Sequence, residues 1–344
     1  MATPISRLDI PGGFIAYGVH EPSADGAGPK GASAPLAGDA PGGAWSEGAA
    51  PAAGPGADAI AGVRAPLVVC SPAMGDTRDV YNPLAQALCA AGFRVVTADL
   101  RGHGDSSAAF DRYGDDATAD DLIALIEGLD AGPAVLVGAS MSGASAVIAA
   151  GRRPDLVAGL VLICPFLRGS GSRIKDALLR AVLGLALLRP WGPVLWRRYS
   201  ASLWPGLPDA DGRAARLTAL LRRPGRWRVF RATTRTDHRV VEPWFETLAC
   251  PALVIMGEED PDWKEPAAEA AWAAAAVSRS GEPAPILMVP GAGHAPMLER
   301  PGAIGPRIVD FARSACAPTN ASGAVEGSGE GRRTCPEPGS VPSA

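Results

Sequence analysis

Histidine is scarce in this chain: among 344 residues only His20, His103, His238 and His294 occur. With no H-E-x-x-H run and no carboxylate cluster to accompany them, a multi-histidine metal centre is not expected. The six cysteines, Cys70, Cys89, Cys164, Cys250, Cys316 and Cys335, lack C-x-x-C spacing. No charged and then apolar leader stands before residue 30, so reduced thiols and a cytoplasmic setting are expected. Long apolar runs are missing too. The longest, residues 174–188, is broken by Lys175, Asp176 and Arg180 and is too short to span a bilayer, so stable membrane insertion is not expected. Positive charge is not in excess: 32 Lys and Arg stand against 36 Asp and Glu, a net charge of -4, which argues against a general nucleic-acid binder. Neither a phosphate-binding loop nor a dinucleotide fingerprint is present, and no cofactor is expected.

Apolar residues make up 47% of the chain, enough for a large core in one large domain or two ordinary ones. Residues 6–10 and 14–20 flank Pro11-Gly12-Gly13 and predict an N-terminal hairpin within a first unit, 1–22. From 23 to 63 the chain is mostly Ala, Gly and Pro, which predicts a disordered insertion. Short buried strands at 67–70, 93–98, 134–137 and 160–164 then alternate with helices at 81–91 and 118–129, the second with Thr118 and Asp121 placed as a capping pair. This rhythm predicts an α/β fold with a doubly wound, mostly parallel sheet, its first part over 64–164. Between 165 and 246 the strands stop, helical periodicity takes over and five of the eight tryptophans gather, which predicts an inserted helical subdomain. The rhythm resumes over 247–314, with strands at 252–256 and 286–289 and helices at 266–277 and 304–313. A Gly-, Ser- and Pro-rich tail, 315–344, is expected to be disordered.

Chemistry is concentrated in Gly138-Ala139-Ser140-Met141-Ser142-Gly143, where a buried strand hands over to an Ala-rich helix. A serine can be thrust out of so tight a turn only if the positions two before and two after it lack bulk. Gly138 and Ser142 meet that demand, with Ser142 standing where a second glycine is usual. The helix start also presents the N–H of Met141 to an oxyanion beside Ser140. A serine hydroxyl needs a base to take its proton, and the base needs a carboxylate to orient it. His294 follows the last predicted strand in a Gly-rich loop, while Asp260 follows the strand before it, with Glu258, Glu259 and Asp262 as near competitors. Both stand at C-terminal strand ends, where sites in open α/β sheets gather. His103, in a Gly-rich turn, reads as structural, His20 as an inert edge residue, and His238 as part of the helical insertion.

With these motifs in this order, the chain resembles the α/β-hydrolase superfamily with a helical cap, over about residues 5–20 and 64–314. The resemblance rests on Met74-Gly75, the DLRGHGDS run from Asp99, GASMSG, GEEDP and GAGH. It implies Ser140 as nucleophile, Asp260 as acid, His294 as base, and Ala73 and Met141 as oxyanion N–H donors. Ser71-Pro72 replaces the family's usual His-Gly, so Ala73 and Met74 both stay open as the first donor. A serine rather than an aspartate at the elbow points to acyl chemistry: an ester, thioester or related bond of a small, partly apolar substrate, cleaved through an acyl-enzyme. An acyltransferase, a cofactor-free perhydrolase and a non-catalytic ligand-binding protein on the same scaffold are the alternatives. Residues 173–239 hold fifteen Lys and Arg against four Asp and Glu. They read either as solvated helix faces, with Trp191, Trp196, Trp204, Trp227 and Trp244 packed beneath, or as a rim that steers an anionic substrate.

Overall fold

The computed structural model describes residues 3–22, 65–169, 171–279 and 281–317, so the expected insertion at 23–63 and nearly all of the tail lie outside the described residues. Pro11 and Gly12, the latter at φ 90°, turn the chain between β1 (Ile5–Ile10) and β2 (Gly13–His20). Strands and helices then alternate through β3 (Leu67–Ser71), α1 (Asn82–Ala90), β4 (Arg94–Ala98), α2 (Asp115–Leu129), β5 (Ala134–Ala139), α3 (Met141–Arg152) and β6 (Val157–Ile163). Four helices follow: α4 (Arg173–Ala186), α5 (Gly192–Ser202), α6 (Ala210–Leu221) and α7 (Arg226–Thr233). The alternation resumes with β7 (Ala252–Gly257), α8 (Pro266–Ala276), β8 (Ile286–Val289), α9 (Pro296–Glu299) and α10 (Pro301–Cys316).

All eight strands join one sheet in the order β1-β2-β4-β3-β5-β6-β7-β8. The pairings of β2 with β1 and with β4 are antiparallel, and the rest are parallel. Every residue of β3, β5 and β7 is buried, which is why these strands read as unbroken apolar runs: helices cover both faces of a parallel sheet. The fold is therefore the expected doubly wound α/β sheet with a helical insertion. Strand order reverses about β3, and the carboxyl ends of β3, β5, β7 and β8 open toward one edge.

Some boundaries differ from expectation. Helix α2 begins at Asp115, with Gly114 at φ 101° as its N-cap, so Thr118 and Asp121 lie inside the helix and form no capping pair. Asp121 instead accepts two hydrogen bonds from the Arg101 guanidinium, at 2.7 and 2.5 Å. Helix α10 is longer than 304–313 because Pro301 opens it, a position where the missing N–H costs nothing. In the insertion, Trp196, Trp204 and Trp227 are buried, but Trp191 is 48% exposed. It precedes α5 and lies across the α4–α5 corner, its indole N–H donating to the Leu185 carbonyl, so its expected place in the core is not observed. Among the described residues no helix is long and apolar enough to cross a membrane.

The insertion is fastened to the sheet edge by a buried ion pair. Arg213 of α6 reaches Asp76, just beyond β3, and also lies 3.5 Å from Asp79. Burial pushes the Asp76 carboxyl up despite the guanidinium beside it, so this group depends on its partner. Arg213→Met should therefore lower stability by about 3–5 kcal/mol, read from denaturant unfolding, and adding Asp76→Asn should restore much of the loss. A single variant within 1 kcal/mol of the parent would contradict this account.

Candidate active site

One residue, Ser140, separates β5 from α3, and its backbone stands at φ 55°, ψ -122°. For a residue with a Cβ that region costs on the order of 1–3 kcal/mol, so the surroundings must hold it there. Its N–H donates to the Ile163 carbonyl at 2.9 Å, and its carbonyl accepts from Gly143 at 2.9 Å and Phe166 at 3.2 Å. A Cβ on Gly138 would lie 2.3 Å from the Ser142 carbonyl oxygen, and one on Gly143 would lie 2.8 Å from Pro165. Gly138 is thus demanded by backbone meeting backbone, and Gly143 by the Pro165 ring. Ser142 does more than stay small: its hydroxyl donates to the Pro72 carbonyl at 2.6 Å and lies 2.9 Å from the Ser71 hydroxyl. That ties the loop carrying Ala73 and Met74 to the turn carrying Ser140. Met141 opens α3, where the first N–H groups have no intrahelical acceptor.

His294 lies on the loop after β8, held by a residue for which the sequence offered no signal. The Glu299 carboxylate accepts from the backbone N–H groups of Gly206, Gly293 and Ala295, at 2.8, 3.0 and 3.0 Å. The N–H of His294 donates to the Leu203 carbonyl at 2.8 Å. Its Nδ1 is 2.8 Å from Asp260 Oδ2 and 3.4 Å from the Asp262 carboxylate, whereas Glu258 and Glu259 are exposed on the turn. Burial disfavours the charged imidazole, yet the carboxylates of Asp260, Asp262 and Glu299 outweigh it and raise His294 to about 9. Burial likewise pushes Asp260 up. The charge and hydrogen bond of His294, the Asp262 N–H and the Cys164 thiol together bring it below the ordinary carboxylate range.

Cys164, Asp260 and His294 place possible ligand atoms within 4.8 Å of one another. Burial pushes that thiol up, and it donates to the Gly293 carbonyl at 3.6 Å and accepts from the Gly257 N–H at 3.5 Å.

Ser140 and His294 both line a cavity of about 600 Å³ between the sheet edge and the inserted helices. Ala73 and Met74 share its wall, and Leu183, Trp196 and Met297 make much of it apolar. His238 lines it as well. Its Nδ1 is 2.8 Å from Oδ2 of the buried Asp115, a pairing 123 residues apart that no local pattern announces. The Phe166 ring packs on both imidazoles, at 5.4 Å from His238 and 5.8 Å from His294. The other two histidines lie elsewhere. Burial pushes His103 down to about 4, with Nδ1 against the Arg101 carbonyl at 3.1 Å, and His20 sits near the hydroxyls of Thr3 and Thr97.

The chain matches the model of a family described as the alpha/beta hydrolase family over residues 67–305. It is 29% identical over 237 residues to the 2-(acetamidomethylene)succinate hydrolase of Mesorhizobium japonicum, covering 67% of this chain and 81% of that protein. It is 30% identical over 260 residues to the dihydrolipoyllysine-residue acetyltransferase component of the acetoin cleaving system of Pseudomonas putida, covering 72% of this chain and 63% of that one. The fold is similar to that of a thermophilic esterase from Thermogutta terrifontis, with a TM-score of 0.65 at 20% identity over 91% of this chain and 99% of the other.

The raised His294 carries a pH signature. Its contribution to stability is fully present below 6.5 and is lost as pH rises toward about 9, because the folded state binds the proton more tightly than the unfolded chain. Asp262→Asn removes one of the lifting carboxylates, so an NMR titration of the His294 ring should show a lower pKa than in the parent. An unchanged titration would show that Asp262 exerts no field on the imidazole.

Proposed function

The chain belongs to the alpha/beta hydrolase family and is a hydrolase, and from that premise we propose that it cleaves an ester, thioester or related acyl bond through an acyl-enzyme at Ser140. The observation that supports this reading most is the buried Asp260–His294 pair at 2.8 Å, whose imidazole lines the same cavity as a serine at φ 55°. His294 acts in its neutral form, whose share grows as pH rises toward about 9, taking the Ser140 proton at Nε2 as Oγ attacks the carbonyl carbon, while Asp260 holds Nδ1–H and offsets the imidazolium charge. The N–H of Met141 and that of Ala73 or Met74 receive the oxyanion. His294 then gives its proton to the leaving group. Water, activated by the same imidazole, frees the acid and regenerates Ser140.

The helices between β6 and β7 act as a cap, closing over core halves at 65–164 and 247–314. Its apolar wall suits an acyl chain. His238, Arg168 and Arg180 offer hydrogen bonds to the polar part of a small-molecule substrate. Acyl transfer is the second reading, favoured by the likeness to an acetyltransferase component; it needs only an acceptor in place of water. Free thiols at Cys70, Cys89, Cys164, Cys250 and Cys316 fit a reducing, cytoplasmic setting.

Turnover of p-nitrophenyl esters by Ser140→Ala should fall on the order of 10⁴ to 10⁶ in kcat with the fold intact. His294→Ala should match that loss, and His238→Ala should lose less. A folded Ser140→Ala variant at the parental rate would overturn the assignment.

A further inference from the structure

Helix α4 turns its apolar stripe outward. Ile174, Leu178, Val182 and Leu185 recur at the spacing of one helical face, yet they are 82, 63, 54 and 64% exposed. On the neighbouring α5 segment, Trp191 and Leu195 are 48 and 46% exposed. The Trp191 indole donates to the Leu185 carbonyl at 3.2 Å, so the two sets adjoin. An apolar surface this continuous on a water-soluble face marks a contact site. Its surroundings are cationic: besides Arg180, which lines the cavity and lies 3.8 Å from Asp237, residues 173–202 contain Arg173, Lys175, Arg189, Arg197 and Arg198 against the single acid Asp176, which is buried. The same helices give Leu183 and Tyr199 to the wall of the cavity that Ser140 lines, so the exposed face is the outer side of the cavity's cover.

We propose that the α4–α5 face docks peripherally on an anionic lipid surface, with its apolar stripe among the acyl chains and its cations at the headgroups. An amphipathic helix with a basic margin and an aromatic residue at its edge has the composition such an interface demands. A second copy of the chain fits the face less well, because a two-fold contact would bring the same five cations against themselves. Docking does not depend on Ser140. One consequence does rest on the proposed function: the cavity behind the face draws its ester from the lipid layer.

The test uses the full chain as Ser140→Ala, which cannot consume lipid, co-sedimented with vesicles of phosphatidylcholine alone or with a quarter phosphatidylglycerol. Binding to the anionic vesicles should be about tenfold tighter, and raising salt from 0.1 to 0.5 M should remove most of that difference. The double variant Leu178→Asp, Val182→Asp should lose at least about tenfold in binding. In the Ser140-containing parent the same pair should leave hydrolysis of a soluble ester unchanged. Failure to co-sediment, or a double variant that only converts a dimer to a monomer in ultracentrifugation, would overturn the proposal. Binding without any hydrolysis of a vesicle-borne ester by the parent would instead count against the reading of Ser140.

Discussion

The site depends on one tight contact, that of Gly138 with the backbone of Ser142. Only with no side chain at Gly138, and none at Gly143 toward Pro165, can the chain leave β5 and enter α3 through a single residue held at φ 55°. The strain is held by what lies on either side. β5 is buried throughout between β3 and β6, and α3 is buried over nearly its whole length, so the turn cannot relax without disturbing the centre of the sheet. The remaining groups arrive from other strand ends of the same edge: Ala73 and Met74 after β3, Asp260 after β7, His294 after β8. A parallel sheet brings these ends together without any of the residues being close in sequence.

The inserted helices are not a passive cover. They touch the core where charge would develop in the proposed reaction. Arg213 of α6 holds Asp76, next to the loop of Ala73 and Met74. Leu203 accepts from the His294 N–H, Gly206 donates to Glu299, which also holds Gly293 and Ala295, and the Tyr199 hydroxyl donates to Asp262 beside the imidazole. Displacing the cover would therefore disturb both the loop of Ala73 and Met74 and the loop of His294.

Much of the fold is legible in the sequence because buried parallel strands are short apolar runs that end in turn-forming residues such as Gly, Pro and Ser. Ser140, Asp260 and His294 could be singled out for the same reason: each is next to a strand end with a local signature. What escaped has no local signature. Asp115 meets His238 across 123 residues, and Glu299 organises the His294 loop from a helix of four residues. Ser142 reads as small, and only the fold shows its hydroxyl on Pro72. The start of α2 is not legible because Thr118 and Asp121 mimic a cap, whereas Gly114 at φ 101° starts the helix by conformation rather than by a side chain. The outward stripe of α4 is hidden for a related reason, since periodicity reveals an amphipathic helix but not which side faces the solvent.

The central claim is that the Ser140 Oγ carries the acyl group during turnover. Mixing the enzyme with excess p-nitrophenyl acetate, quenching in acid within the first turnovers and mapping the peptides by mass spectrometry tests it directly. The account predicts one acetyl group per chain, on the peptide that contains Ser140, matched by a burst of one p-nitrophenolate. Steady release of p-nitrophenolate from a chain that stays unacetylated, or that carries the acetyl group elsewhere, would contradict it.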